Sequence, residues 1–333
     1  MVVEAADLPI RGAGSSAAAP IYQNWNREFQ KTGGAALSFD AVGSSNGMKR
    51  IRAREVDFGA TDVPPSDDEL AKEGLVLLPV AITGITPVVN LPRVADQQLR
   101  MSGEVLARIF LGELTQWNAP EIAALNPGVP LPDMAIKVIV RSDGSGTTYN
   151  FADYLAKVSP SWKDKIGVKT SLQWPAAFIA VKGSDGVVKA MKETSGAIGY
   201  IDYGYTRENR LATVQMKNLD GEFARASSAS FRSALLNSDW AGKGAFTTPL
   251  TQRPGKGVWP ITMGTFAVIP QVVDQIEKVI PVVNFFTWAL IKGDASVQES
   301  NFVRLPDRVQ GLAFKAISSI KDKSGNRVPT KLF

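Results

Sequence analysis

The stretch Arg141-Ser-Asp-Gly-Ser-Gly-Thr-Thr148 brings an arginine, an aspartate, two glycines and several hydroxyls into one short turn. It follows an apolar run and precedes Tyr149-Asn-Phe-Ala-Asp-Tyr-Leu-Ala156. Two other stretches are built the same way: Gly12-Ala-Gly-Ser-Ser-Ala-Ala-Ala-Pro20 and Val42-Gly-Ser-Ser-Asn-Gly-Met48. Each stands between a strand-like run and a helix-like run. The first turn of a helix leaves backbone N–H groups without internal partners, and the aligned peptide dipoles put partial positive charge there. Glycine lets a ligand approach the backbone, and hydroxyls add donors without adding charge. A small oxyanion fits such a place. Three ordinary N-caps are the alternative, open at this level. None of the stretches has the spacing of a Walker A loop or of G-x-G-x-x-G, and Ser145 lacks the spacing of a nucleophile elbow.

Charged residues sharpen the choice. Gly59-Ala-Thr-Asp62-Val-Pro-Pro65 ends a strand with a carboxylate. An acid beside an anion site makes sense if the anion still carries a proton. Asp62 would accept a hydrogen bond from the P–OH of phosphate and would repel a fully ionised anion such as sulfate, because acceptor facing acceptor forfeits hydrogen bonding. Arg141 has the fork that matches two phosphate oxygens, and Asp143 is placed to hold it. The plainer alternatives are an Asx turn before Pro64 and a surface ion pair of Arg141 with Asp143.

The elements that must carry these residues alternate between strand and helix, which predicts α/β architecture. Ile21, Tyr22, Trp25 and Phe29 recur at helical spacing, and 36–42 alternates as a strand. Helices are expected over 45–54, 66–73, 102–111, 272–292 and 307–320, and strands over 56–60, 75–80, 85–90, 136–140, 196–201 and 266–269. Loops are expected over 126–132 and 248–257, where Pro and Gly cluster.

The chain has 333 residues, 44% of them hydrophobic, enough for one large domain or two ordinary ones with a sizeable core. It holds no Cys and no His. Thiol catalysis, zinc fingers, iron–sulfur clusters, disulfides, His-ligated metals and a Ser-His-Asp triad are thereby excluded. Net charge is +5, and the densest basic run, Lys49-Arg-Ile-Arg-Ala-Arg54, reads as a solvated helix face rather than a nucleic-acid surface. No apolar run reaches the roughly 18 residues of a membrane span. Met1-Val-Val-Glu-Ala-Ala-Asp7 lacks the basic and apolar regions of a secretory leader. Ser318-Ser-Ile-Lys321 matches S-x-x-K by chance in a terminal helix.

Several separate motifs, in family order, are similar to the periplasmic phosphate-binding proteins of bacterial Pst-type ABC phosphate-uptake systems. They are Gly12-Ala-Gly with Ala19-Pro20-Ile-Tyr22, Gly43-Ser-Ser-Asn-Gly47, Val56-Asp-Phe-Gly-Ala-Thr-Asp62, Ile109-Phe-Leu-Gly112 with Trp117, Arg141-Ser-Asp-Gly-Ser-Gly-Thr147, Ser195-Gly-Ala-Ile-Gly-Tyr200 and Trp259-Pro-Ile-Thr262. The resemblance runs nearly end to end. It implies a two-lobed α/β binding protein of the Venus-flytrap type. Lobe I would hold 1–83 and 262–333 and lobe II 84–261, with a two-strand hinge and the ligand cleft between them. It implies phosphate contacts at Ser16, Ala17 (through its N–H), Ser44, Asp62, Arg141, Ser145, Gly146 and Thr147, with Asp143 bracing the arginine. The family usually has Thr-Phe at Ser16-Ala17, so an aromatic wall is missing, and Asn46 replaces a frequent Gly. No cofactor, metal or nucleic acid is expected, and the partners implied are inorganic phosphate and a membrane permease. A periplasmic monomer is expected, its leader absent from this sequence. The same fold also serves scavengers of other tetrahedral oxyanions; a phosphatase is disfavoured by the missing His and Cys.

Overall fold

Strand and helix alternate as expected in the computed structural model, which describes residues 8–331 and 333. The opening heptapeptide, read above as carrying no leader, lies outside the described residues. The chain divides into two units. The first runs to Ala81 and adds Trp240–Thr247 and Gly264–Phe333; the second comprises Ile82–Asp239 and Thr248–Met263.

In the first unit, strands β1 (Ile10–Gly14), β2 (Leu37–Asp40) and β3 (Phe58–Thr61) are parallel, with β1 between the other two. The strand Thr262–Pro270 joins β3 antiparallel, Phe266 opposite Thr61 and Val268 opposite Gly59. Helix α1 (Ala19–Lys31) follows β1, and α2 (Ser44–Arg52) follows β2. The core is aromatic: Tyr22 stacks on Phe39 at 4.7 Å, and Phe58 meets Phe286 edge-on at 5.1 Å. Phe285 and Phe286 come from the helix Ile276–Lys292, whose interior Pro281 is buried with them.

Glycines set how tightly these layers approach. Gly12, expected in a loop, lies inside β1 because the strand continues to Gly14; a side chain there would meet the Phe58 ring at 2.3 Å. A methyl on Gly47 would stand 2.4 Å from the Gly14 Cα, so α2 rests almost directly on β1. Gly47→Ala is therefore expected to destabilise the protein by about 1–3 kcal/mol, the range for forcing volume into a packed site. A denaturant midpoint equal to that of the native protein would contradict this close approach.

Trp240, in the short segment that returns to the first unit, packs against Phe266 at 5.8 Å. The absent side chain of Gly264 makes room for it, since a Cβ there would lie 2.3 Å from its ring.

In the second unit, Ala197–Asp202 runs antiparallel to residues 85–90, Lys137–Arg141 lies parallel beside it, and Ile179–Val181 follows parallel. Val88, Ile139, Val187, Met191, Ala197 and Ile201 form a core between this sheet and the helix Gly183–Glu193. On another flank Phe151 stacks on Tyr200 at 4.3 Å and meets Phe110 at 4.9 Å.

Three expectations are corrected. Residues 75–80 and 85–90 are not two strands but one, Leu75–Asn90; Gly84 serves packing, as a Cβ there would lie 2.0 Å from the Phe231 ring. The basic helix ends at Arg52, and Arg54 turns left-handed at φ 58°. Its charges are solvated pairs, Arg50 with Asp40 and Arg52 with Glu73. The S-x-x-K match is split, because the terminal helix ends at Ile317 and Lys321 begins a short strand.

Candidate functional site

Each unit gathers its own share of the residues singled out by the sequence. In the first, β1, β2 and β3 are parallel, so their carboxyl ends point the same way, where ligands usually bind in α/β sheets. The Gly12–Pro20 stretch leaves β1 there, the Val42–Met48 stretch follows β2, and Asp62 comes directly after β3. Both helices lack a side-chain N-cap and carry no acid in their first turn. The cap of α2 is Gly43, at φ 87°, a conformation glycine accepts without strain. Ser44, expected ahead of the helix, is its first residue.

Asp62 is buried at 2% exposure. Its Oδ2 accepts hydrogen bonds from Ser15 Oγ at 2.6 Å and from Ser44 Oγ at 3.4 Å. Ser44 Oγ in turn accepts the Asp62 N–H at 3.3 Å. These partners lie 47 and 18 positions away, so the carboxylate is engaged in long-range contacts that a local Asx turn does not make. Ser16 and Ala17, both buried, stand between Ser15 and Ala18, the residue at the N-cap of α1. Nearby Tyr22 is fully buried, and burial first and the Asp62 charge second push its phenol well above the usual range. It stays neutral and adds no competing negative charge.

In the second unit, Arg141 closes its strand and Asp143 grips it with both oxygens: Nε to Oδ1 at 2.7 Å and Nη2 to Oδ2 at 2.5 Å. The side chains are only 3% and 6% exposed, so this is not a surface ion pair. Burial pushes Asp143 up, but the Arg141 hydrogen bonds and charge and the Gly183 N–H, 3.1 Å from Oδ1, hold it below the usual carboxylate range. Trp174 Nε1 donates to the Arg141 carbonyl at 3.0 Å. The guanidinium has five hydrogens, and the two contacts to Asp143 account for two of them.

Ser145 caps the helix Gly146–Val158, its Oγ accepting the Thr148 N–H at 3.1 Å. Accepting that bond leaves the hydroxyl hydrogen to serve as a donor. Gly146 and Thr147 occupy the first turn, which holds no acidic residue. The turn is anchored from outside: Ser145 N–H donates to the Thr170 carbonyl at 2.9 Å, and Thr148 Oγ1 is 2.6 Å from the buried Tyr200 hydroxyl. Burial pushes the Tyr200 phenol up to about 12, so it too stays neutral.

Within each unit the structure therefore brings the expected residues together: Ser44 with Asp62, and Arg141 with Asp143 beside the Ser145–Thr147 turn. Sequence reasoning missed Ser15, Trp174 and Gly183. The first had a visible signal, a hydroxyl three residues ahead of the Ala18 N–H that it accepts at 3.4 Å. The other two contact the site from positions 33 and 40 residues on, with no local signature. Among the described residues no cluster of acidic side chains is arranged to hold a metal, and no helix is long and apolar enough to cross a membrane.

Comparison with known proteins agrees with this architecture. Residues 3–253 match the model of the PBP superfamily domain. The chain is 40% identical over 300 residues to the phosphate-binding protein PstS of Pasteurella multocida, covering 90% of this chain and 87% of that one. It is 38% identical over 299 residues to PstS of Xylella fastidiosa, covering 90% and 82%. In fold it is similar to a human phosphate binding apolipoprotein, with a TM-score of 0.73 and 19% identity over 97% of this chain and 100% of that one. The α/β architecture, the motifs in their order and these identities across nine-tenths of the sequence place the chain in the PBP superfamily and, within it, in the PstS family of phosphate-binding proteins.

Proposed function

We propose that this protein binds inorganic phosphate in the periplasm and delivers it to the membrane permease of an ABC transporter. The observation that carries the proposal is the setting of Asp62, a buried carboxylate bonded by serine hydroxyls beside two helix starts that have no side-chain cap. Uncharged donors there attract an anion, while the carboxylate accepts only from one that has a hydrogen to give. Phosphate retains a hydrogen at neutral pH and sulfate does not. On this reading Ser16, Ala17 (through its N–H), Ser44, Asp62, Arg141, Ser145, Gly146 and Thr147 are the phosphate contacts, with Asp143 bracing the arginine. The names of the relatives, phosphate-binding protein PstS, favour the same ligand.

The protein acts as a monomeric carrier and not as an enzyme, without cofactor, metal or nucleic acid. The chain's own chemistry supports this: it has no His or Cys to serve as nucleophile or proton shuttle. Calorimetric titration is expected to show one phosphate per chain. Saturating phosphate at about a hundred times Kd should stabilise the fold by about 2.7 kcal/mol, visible as a raised melting temperature. Neither heat nor a thermal shift at millimolar phosphate would overturn the proposal. Turnover of a chromogenic phosphate ester would move the protein to the hydrolases instead.

A further inference from the structure

Of the two hydroxyls bonded to Asp62 Oδ2, that of Ser15 is much the nearer, 2.6 Å against 3.4 Å for Ser44. Ser15 is 1% exposed and fixed from two sides. Its N–H donates to the Ala60 carbonyl of β3 at 2.9 Å, and its Oγ accepts the Ala18 N–H at 3.4 Å. A hydroxyl has one hydrogen to give, and the short contact commits it to Asp62. A donated hydrogen bond favours the ionised form of a carboxylate over the protonated one.

We infer that Ser15 is a positioning residue that keeps Asp62 an ionised acceptor, and so maintains the choice of a protonated oxyanion over a fully ionised one as the pH falls. This inference rests on the reading of the site as a phosphate site. Without the Ser15 donor, Asp62 takes a proton from solvent more readily at low pH. A protonated Asp62 donates to a sulfate oxygen where the carboxylate would repel it.

The named ionisable groups on the surrounding elements are neutral, exposed or paired elsewhere. Tyr22, on α1, is kept neutral by burial and by the Asp62 charge. Arg27, Glu28 and Lys31 on α1 pair with one another, and Arg27 also with Glu299. On α2, Arg50 pairs with Asp40 and Glu55, Arg52 pairs with Glu73, and Lys49 is exposed. Arg11 of β1 pairs with Asp57, and the strand Thr262–Pro270 has no ionisable side chain.

The test is calorimetric titration of phosphate and of sulfate against the native protein and the variants Ser15→Ala, Ser15→Cys and Ser15→Thr, at about pH 8 and about pH 5, nearer the carboxylate range. Native protein and Ser15→Thr, which retains the hydroxyl, should bind sulfate poorly at both. Ser15→Ala should bind sulfate roughly tenfold more tightly at the lower pH than at the higher, the worth of one hydrogen bond to a charged acceptor. Ser15→Cys, close in size but a weak donor, should shift in the same direction and serves if the alanine variant does not fold. Sulfate binding in Ser15→Ala and Ser15→Cys that responds to pH as the native protein does would overturn the inference alone. A native protein that binds no phosphate would overturn the proposed function, and this inference with it.

Discussion

Arg141→Ala is expected to cut phosphate affinity about a thousandfold, the worth of two charge-assisted hydrogen bonds lost together. The guanidinium is held by Asp143 at 2.7 and 2.5 Å and is almost wholly buried. The same substitution leaves Asp143 buried without its cation, which costs about 3–5 kcal/mol of stability. The two losses are separable. Arg141→Ala combined with Asp143→Ala removes the stranded charge and should regain most of the thermal stability while phosphate binding stays lost. Arg141→Lys keeps the charge but not the fork and should fall between native and Arg141→Ala. Equal phosphate affinity in native protein and the double variant would show that the arginine serves the fold and not the ligand.

Asp62→Asn is expected to invert the logic of selection. The amide keeps the size of the side chain, and its NH2 can donate to an anion oxygen. Sulfate should gain roughly 10- to 100-fold in affinity, the worth of replacing an acceptor–acceptor clash by a hydrogen bond. Phosphate should weaken, because its hydrogen loses a charged acceptor. The Ser15 and Ser44 hydroxyls bonded to the carboxylate can reorient about an amide, so the fold should survive; the melting temperature without ligand checks this. Unchanged sulfate affinity in a folded Asp62→Asn protein would mean that the carboxylate does not face the ligand.

Much of this site was legible because its chemistry is local. A strand, a Gly/Ser/Thr turn and a helix stand in that order in the chain, and the helices begin inside the turn stretches, at Ala19, Ser44 and Gly146. Arg141 and Asp143 are two positions apart, so their pairing could be read from the chain. The legible part ends where a partner lies far off. Nothing near Ser15 announces Asp62, 47 positions on, and nothing near Asp143 announces Gly183. Glycine was the other blind spot. Gly12 and Gly84 looked like breaks in strands, but they lie inside strands because aromatic rings of other segments occupy the space a side chain would need. The return of Trp240–Thr247 to the first unit is equally silent in the sequence, since it depends on a ring filling the gap above Gly264.

On the proposed reading, one lone carboxylate checks whether the anion still has a hydrogen. The most direct measurement is the ratio of sulfate to phosphate dissociation constants for the native protein near neutral pH. Sulfate should bind at least about a hundredfold more weakly, as a misplaced acceptor in a buried site demands. Comparable constants for the two anions would contradict it.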